Sequence, residues 1–299
     1  MRKPAKILSM ILAFVLVLGL LPATAFATGA DSVYISVSYD GKYINDKNGN
    51  AIAYIPVSFD KLSAIDLDEY GLSEYKYDED GDGTYDITAL HMVIYAHENL
   101  YGGDFSEVTF TGAPGSSYFQ GGIFGFDENL NYFLNGEYPL AGEGWGATSD
   151  QIVLEAGDFL DVASFGCYNF LWDQAGGFHL FADENDSYTH DYAANAGEAL
   201  SVKLKHSFCD LMVGEAWVRD AADYEVYYGA TFGEAEGSVT TDESGCAEIT
   251  FPNAGTYYVW CEGGIGTDDG FTHTTCEHYM ETGEPCIVSA PAFAKVTVS

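Results

Sequence analysis

Three aspartates at alternate positions, Asp78, Asp80 and Asp82, stand in the glycine-punctuated stretch Asp78-Glu79-Asp80-Gly81-Asp82-Gly83-Thr84-Tyr85-Asp86. This spacing matches the first half of a D-x-D-x-D-G calcium loop, in which alternate carboxylates point inward and glycine permits the sharp turn. Carboxylates held this close repel one another unless a cation lies among them. The expected ligand set is Asp78, Asp80, Asp82, Thr84 through its carbonyl, and Asp86, holding a structural Ca²⁺. The twelfth loop position is Ala89 rather than a bidentate Glu, so the expected affinity is that of a weak extracellular site, not of a full EF-hand. The competing reading is a solvated acidic turn in which Asp86 caps the next helix.

Other residue types capable of chemistry are present without a recognised arrangement. There is no G-x-S-x-G, no H-E-x-x-H and no phosphate-cradling glycine loop, and His97-Glu98 has no second histidine at metal spacing. With 46 acidic residues, pairs of carboxylates are too common to identify an acid and base. No enzymatic activity is expected. Six cysteines, Cys167, Cys209, Cys246, Cys261, Cys276 and Cys286, read as disulfide partners in an exported chain, with 15 pairings open. His273, Cys276, Glu277 and His278, with Cys286 and Cys261 nearby, also have zinc-ligand types but no standard finger spacing, and free thiols are a third possibility. Trp145, Trp172, Trp217 and Trp260 could form a sugar-binding platform or, more simply, core. His91 is expected on a partly exposed face.

The acidic loop must be positioned by the segment it feeds, Ile87 to Tyr101, whose apolar residues recur at helical steps and predict one buried face. Gly102-Gly103 should end this helix. Nearly everything else reads as strand and turn. Alternation from Ser32, a second run at Ile52 to Pro56, and short runs at 108–110, 118–126, 130–134, 152–155 and 159–163 give strands around the helix, with Asn135-Gly136 the strongest hairpin signal. A later series, 200–204, 224–228, 238–241, 247–251, 257–261 and 294–298, is all β. The expected fold class is therefore α+β, β-grasp-like with one main helix on a sheet, followed by an all-β immunoglobulin-like sandwich. The expected domains are a signal peptide at 1–27, a β-grasp-like domain at 32–165, an irregular connection at 166–196 with a strand candidate at 178–182, and the sandwich at 197–299.

The order of opening strands, helix, Asn131-Tyr132-Phe133-Leu134-Asn135-Gly136, Gly144-Trp145-Gly146 and Leu154-Glu155-Ala156-Gly157-Asp158-Phe159 resembles a bacterial extracellular family related to the C-terminal β-domain of transcobalamin and intrinsic factor. The run Thr241 to Phe251, followed by Ala254-Gly255-Thr256-Tyr257-Tyr258-Val259, is similar to the closing strands of bacterial immunoglobulin-like domains. The first resemblance implies corrinoid-like small-molecule binding as an alternative function. The second implies a spacer, adhesion or ligand-binding module.

Arg2, Lys3 and Lys6 precede an apolar run from Ile7 to Leu21 and an Ala25-Phe26-Ala27 cleavage pattern, which reads as a secretory signal peptide. Removing residues 1–27 leaves eight Lys or Arg against 46 Asp or Glu, a net charge of −38. Such a polyanion lacks the cations that nucleic acid or anionic membranes require, and no membrane insertion of the mature chain is expected. The expected location is secreted or cell-surface associated, and the expected partner an extracellular glycan, protein or small molecule.

Overall fold

The computed structural model describes residues 31–127, 129–141, 145–165, 177–210, 215–264 and 289–299. Strands hold 43% of the residues and helices 12%, so the fold is largely β. Residues 1–27, expected as a signal peptide, and Cys167, Trp172, Gly144, Cys276, Cys286, His273 and His278 lie outside the described residues.

In the first unit the strands are β1 (Ser32–Tyr39), β2 (Lys42–Tyr43), β3 (Ile55–Ser58), β4 (Thr109–Thr111), β5 (Tyr118–Gly121), β6 (Asn131–Leu134), β7 (Leu140–Ala141), β8 (Trp145–Gly146) and β9 (Phe159–Ser164). β1 is the centre of a mixed sheet ordered β2-β1-β9-β6, with β3 also on β1; β4-β5 and β7-β8 are two-stranded ribbons. Pairing of β1 with β9 is parallel and that with β2 and β3 antiparallel. One face of the sheet, Val33, Ile35, Val37, Leu160 and Val162, packs with the helices α1 (Phe59–Leu62) and α2 (Ala89–Tyr95) in a single core.

α2 departs from the amphipathic helix that the sequence suggests. Residues Ala89 through Ile94 are all buried: the Ala89 and Leu90 N–H groups donate to Ile152 O and Ser149 O, and Phe105, Phe119 and Phe124 share the core with this helix. Thr88, not Asp86, caps it: the Thr88 N–H donates to His91 Nδ1 at 3.1 Å, the reciprocal half of a capping box. His91, expected at a partly exposed position, is therefore buried at 7% exposure. A wider turn over Ala96–Tyr101 continues the helix to Gly102 at φ 90°, where it stops as the glycine pair predicts.

Two further local expectations are changed by the fold. Residues 152–155 form one bridge, Val153 to Thr88, in place of a strand. Asn135-Gly136 makes the left-handed turn its sequence demands, with φ 52° and 79°, but its hairpin ends at the Leu134–Glu137 pair because β6 pairs with β9 instead. The Asn135 amide then ties that turn to β9, accepting from the Phe159 N–H at 2.9 Å and donating to Asp158 at 2.7 Å.

The second unit contains β10 (Gly177–Ala182), β11 (Asp191–Ala194), β12 (Ala199–Asp210), β13 (Glu215–Asp220), β14 (Glu225–Gly229), β15 (Gly237–Thr240), β16 (Cys246–Thr250), β17 (Gly255–Cys261), β18 (Ser289–Ala290) and β19 (Ala292–Val298). One sheet runs β13-β12-β10-β18 with β16 on β12, the other β11-β19-β17-β14-β15. Phe181, Val202, Leu204 and Ile249 of the first meet Val226, Tyr257, Val259, Ala294 and Val296 of the second in a common core. The segment 166–196, expected as an irregular connection with one strand at 178–182, supplies that strand as β10 and a second, β11, so each sheet includes a strand from it.

The two units meet through the other face of the first sheet. β1 is buried along both faces, since Tyr34, Ser36 and Ser38 point away from the α2 core and are covered by the second unit. Phe133, Ala163 and Phe165 pack with Phe178, Leu180 and Ala290, while Tyr34, Tyr54 and Phe159 pack with Trp260 and Phe293. The Gly263 N–H donates to Gly41 O at 2.6 Å and Lys42 pairs with Glu262 at 3.3 Å across the same seam.

Candidate functional site

Register builds a cleft in this seam from two neighbouring pairs. Parallel pairing sets Tyr34 beside Phe159, and their rings stack with centroids 4.4 Å apart and planes 4° from parallel. Parallel pairing of β11 with β19 likewise sets Asp191 beside Lys295. Tyr54, held at φ 48°, and Phe293 complete the aromatic wall, 5.0 Å between centroids. His190, which lies against Phe159, completes the polar one. Together these seven residues line a shallow cleft, open to solvent, whose cavity volume is only about 20 Å³.

The polar wall is an internally neutralised chain. Asp191 Oδ2 lies 3.1 Å from His190 Nε2 and Oδ1 lies 3.2 Å from Lys295 Nζ. Burial works to raise the Asp191 carboxyl, but His190 and Lys295 together hold it below the usual range. His190 Nδ1 is buried with no hydrogen-bond partner.

Behind the aromatic wall is a buried titratable cluster. Asp161, 9% exposed, neighbours Ser36 across the parallel pair. Burial pushes its carboxyl up to about 7, with the Ser36 hydroxyl restraining the rise. The phenols of Tyr43, Tyr54 and Tyr188 are all raised, first by burial and then by Asp161. The Tyr54 and Tyr188 hydroxyls are 3.4 Å apart, Tyr43 donates to Pro291 O at 3.4 Å, and the Tyr54 N–H donates to Ser36 Oγ at 3.0 Å. A carboxyl near half-protonation in such a place is a common mark of a functional region.

The acidic loop forms as a compact turn. Carboxylate oxygens of Asp78, Asp80 and Asp82 lie within 4.8 Å of one another, an all-oxygen set that suits a hard cation. Asp78 also caps its own backbone, accepting from Gly81 at 2.8 Å and Gly83 at 2.9 Å. The Thr84 N–H donates to Asp82 at 2.7 Å, and Asp86 accepts from the Glu79 N–H at 2.8 Å, closing the base of the loop. Three other loops use the same backbone capping. Asp46, Asp183 and Asp242 each accept on Oδ1 from the N–H groups two and four residues on, at 2.8 to 3.0 Å, and the residue three on has positive φ in each case: Gly49, Asp186 and Gly245. The pattern Asp-x-Asn/Ser-x-x was the legible signal for them.

The remaining candidates are distributed through the core. Among the described residues Cys246 and Cys261 form no disulfide with each other, and burial pushes the Cys261 thiol up to about 12. Trp260 is buried in the seam but does not line the cleft, whose aromatic wall is Tyr and Phe. His179 and His206 adjoin across β10 and β12, with ring centroids 4.7 Å apart; the His179 ring is 3.2 Å from Ala290 O through Nδ1. Burial lowers His179 to about 4, and burial, His179 and Arg219 lower His206 well below its usual value. Cations are largely committed to acids: Lys203 and Lys205 to Asp186 and Asp220, and Lys76 to Asp66 and Asp68. Among the described residues no helix is long and apolar enough to cross a membrane.

Searches against protein-family models, curated proteins and solved structures find no significant match to the chain.

None of the seven cleft residues stands out in the sequence. They come from five separate stretches, and only Tyr34 and Phe159 left a trace: each is an aromatic at the position of its strand that alternation would assign to solvent.

Proposed function

We propose that this chain is an exported, non-catalytic extracellular module for adhesion or ligand binding, released or held at the cell surface, in which the mouth of the shallow cleft between its two units is a contact surface for the ligand. The observation that carries this reading is the cleft itself: four aromatic side chains opposed to a His190–Asp191–Lys295 chain, at an interface between units, where small-molecule sites are commonly found. Export is supported by the leader pattern of residues 1–27 and by the acidity of the mature chain. The transcobalamin-like β-grasp reading is supported by one main helix packed on a mixed sheet, and the immunoglobulin-like reading by two facing five-stranded sheets. A cleft of about 20 Å³ is far too small for a corrin macrocycle, which favours the general binding reading over the corrinoid one. A structural Ca²⁺ on Asp78, Asp80 and Asp82, with Thr84 and Asp86 nearby in the loop, belongs to the same proposal and is supported by the oxygen donor set.

The test is a thermal-shift screen of the mature chain against small extracellular solutes, cobalamin included, with Phe293→Leu as the comparison and a hydrolase substrate panel run in parallel. Stabilisation by a solute that Phe293→Leu abolishes is the expected result. Turnover of any panel substrate that is lost on replacing one carboxylate would overturn the non-catalytic reading.

A further inference from the structure

The seam between the units holds a carboxyl that its apolar contacts leave unanswered. Both units are polyanions: residues 28–165 hold 24 Asp or Glu against four Lys, and residues 166–299 hold 22 against four Lys or Arg. What joins them is apolar contact, with Phe133 and Phe159 of the first unit packed among Phe178 and Phe293 of the second. The Lys42–Glu262 link on the rim is exposed at both ends and adds little once screened. Asp161 is buried in the middle of this seam, beside Ser36 across the parallel pair. Facing it are the phenols of Tyr43, Tyr54 and Tyr188, with the Cys261 thiol near Tyr43, and burial raises all four, so they are neutral through pH 8. His190 stands on the far side of Tyr54 and Tyr188, its ring centroid 6.4 and 6.1 Å from theirs, and is engaged by Asp191. Among the described residues no lysine, arginine or histidine pairs with Asp161, whose polar partner is the Ser36 hydroxyl.

We propose that Asp161 is a pH-sensitive latch on the seam: neutral, it lets the apolar faces of the two units close, and ionised, it puts an uncompensated charge between two polyanions and shifts the seam towards an open form in which the carboxylate reaches water. Each unit keeps its own core when the seam opens, since the two cores share no residue. The cleft residues come from both units, so opening takes the cleft mouth apart. The inference concerns the seam itself and does not rest on the binding reading. Its size follows from linkage. In the closed form burial raises the carboxyl to about 7, against an ordinary value of 3.8 once it is solvated. Closure is therefore fully supported below the ordinary value and weakens as pH rises. The ratio of open to closed gains about tenfold per pH unit up to pH 7 and then levels off, about 200-fold in all between pH 4.5 and pH 8.

The experiment is native-state hydrogen exchange by NMR on the mature chain, in steps over that pH range at matched ionic strength and corrected for intrinsic exchange. Two amides report on the seam: the Gly263 N–H, bonded across it to Gly41 O at 2.6 Å, and the Tyr54 N–H, bonded beneath it to Ser36 Oγ at 3.0 Å. The Ala96 N–H, bonded to Met92 O at the end of α2, reports unfolding of the first unit. Both seam amides are expected to open more often than Ala96 and with a weaker urea dependence, because opening the seam exposes less surface than unfolding. Their opening constant should rise about 200-fold from pH 4.5 to pH 8, stay level in Asp161→Asn and rise as in the parent in His190→Gln. Seam amides that open only together with Ala96 would overturn the latch and leave Asp161 acting on global stability alone. A rise that survives Asp161→Asn, or vanishes in His190→Gln, would assign the titration to another group and overturn the inference. Ser36→Ala removes the hydroxyl that restrains the carboxyl, so the levelling-off at Gly263 should move to higher pH. No movement would overturn the inference even where Asp161→Asn fails to fold.

Discussion

Asp161 gives the most decisive test of how the two units are joined. Its carboxyl lies on the face of β9 that the second unit covers, and burial raises it from 3.8 to about 7. Below pH 4 the folded and unfolded chains both carry the proton, and Asp161 has no effect on stability. As pH rises from there, the unfolded chain releases the proton while the folded chain retains it, so stability falls by about 1.4 kcal/mol per pH unit. The loss levels off above pH 7, at about 4 kcal/mol. A raised carboxyl thus works in the opposite sense to a salt-bridged one. Asp161→Asn keeps the shape and stays neutral at every pH, so the variant should gain on the parent by about 3 kcal/mol between pH 4.5 and pH 8, as this linkage requires. The assay is urea denaturation of both proteins at matched ionic strength, at half-unit steps over that range, read as the difference in unfolding free energy. Taking the difference removes the contributions of every other titrating group, including the neighbouring tyrosines and the distant histidines. Any cost of the amide at Ser36 appears as an offset common to all pH values. A difference that does not change with pH would mean that Asp161 is solvated and that the seam is open, refuting the close docking on which the cleft depends.

The buried histidines predict the opposite slope in acid. His179, lowered to about 4 by burial, stays neutral in the fold while the unfolded chain protonates from pH 6.5 downward, so stability is lost between pH 6.5 and 4; His179→Met should flatten that loss in melting temperature, and an unchanged slope would show that the pair is accessible to water. Gly136 has φ 79°, and a Cβ there would lie 2.6 Å from the Tyr188 Cβ, whereas Gly157 has φ 98° and open space. Gly157→Ala should therefore cost about 1 kcal/mol for the left-handed backbone alone, and Gly136→Ala clearly more by urea titration; equal costs would sink the close approach of Tyr188. For the acidic loop, Ca²⁺ at ten times its Kd should add about 1.4 kcal/mol of stability. Asp80→Ala and Asp82→Ala should abolish that gain, and Mg²⁺ at matched ionic strength should not reproduce it. A melting shift equal for both cations would leave the loop as a turn that caps itself, like those at Asp46, Asp183 and Asp242.

Much of the strand inventory was local and therefore legible. Alternation over Ser32 to Tyr39 and Gly255 to Cys261, the Asn135-Gly136 turn and the Gly102 stop each depend on neighbours within a few residues, where side-chain period and φ preference act directly. The acidic loop was legible for the same reason, since its carboxylates are gathered by five consecutive residues. What local pattern could not carry was which faces are covered. Ser36, Ser38 and Asp161 occupy positions that a two-period reading assigns to water, yet the second unit docks on them, because Tyr34, Phe159 and Phe133 on the same face offer more apolar area than the polar groups cost to bury once hydrogen-bonded. The same nonlocality hid the all-round burial of α2, which shares its core with Phe105, Phe119 and Phe124 from later segments, and the strand β11, whose partner β19 lies far along the chain; β10 was legible as a strand at 178–182, but not its partners. The cleft exists only through register: Tyr34 meets Phe159, and Asp191 meets Lys295, across pairings that span more than a hundred residues. Chain composition supplies the residue types for such a site, but only the tertiary pairing of two parallel ladders sets them face to face.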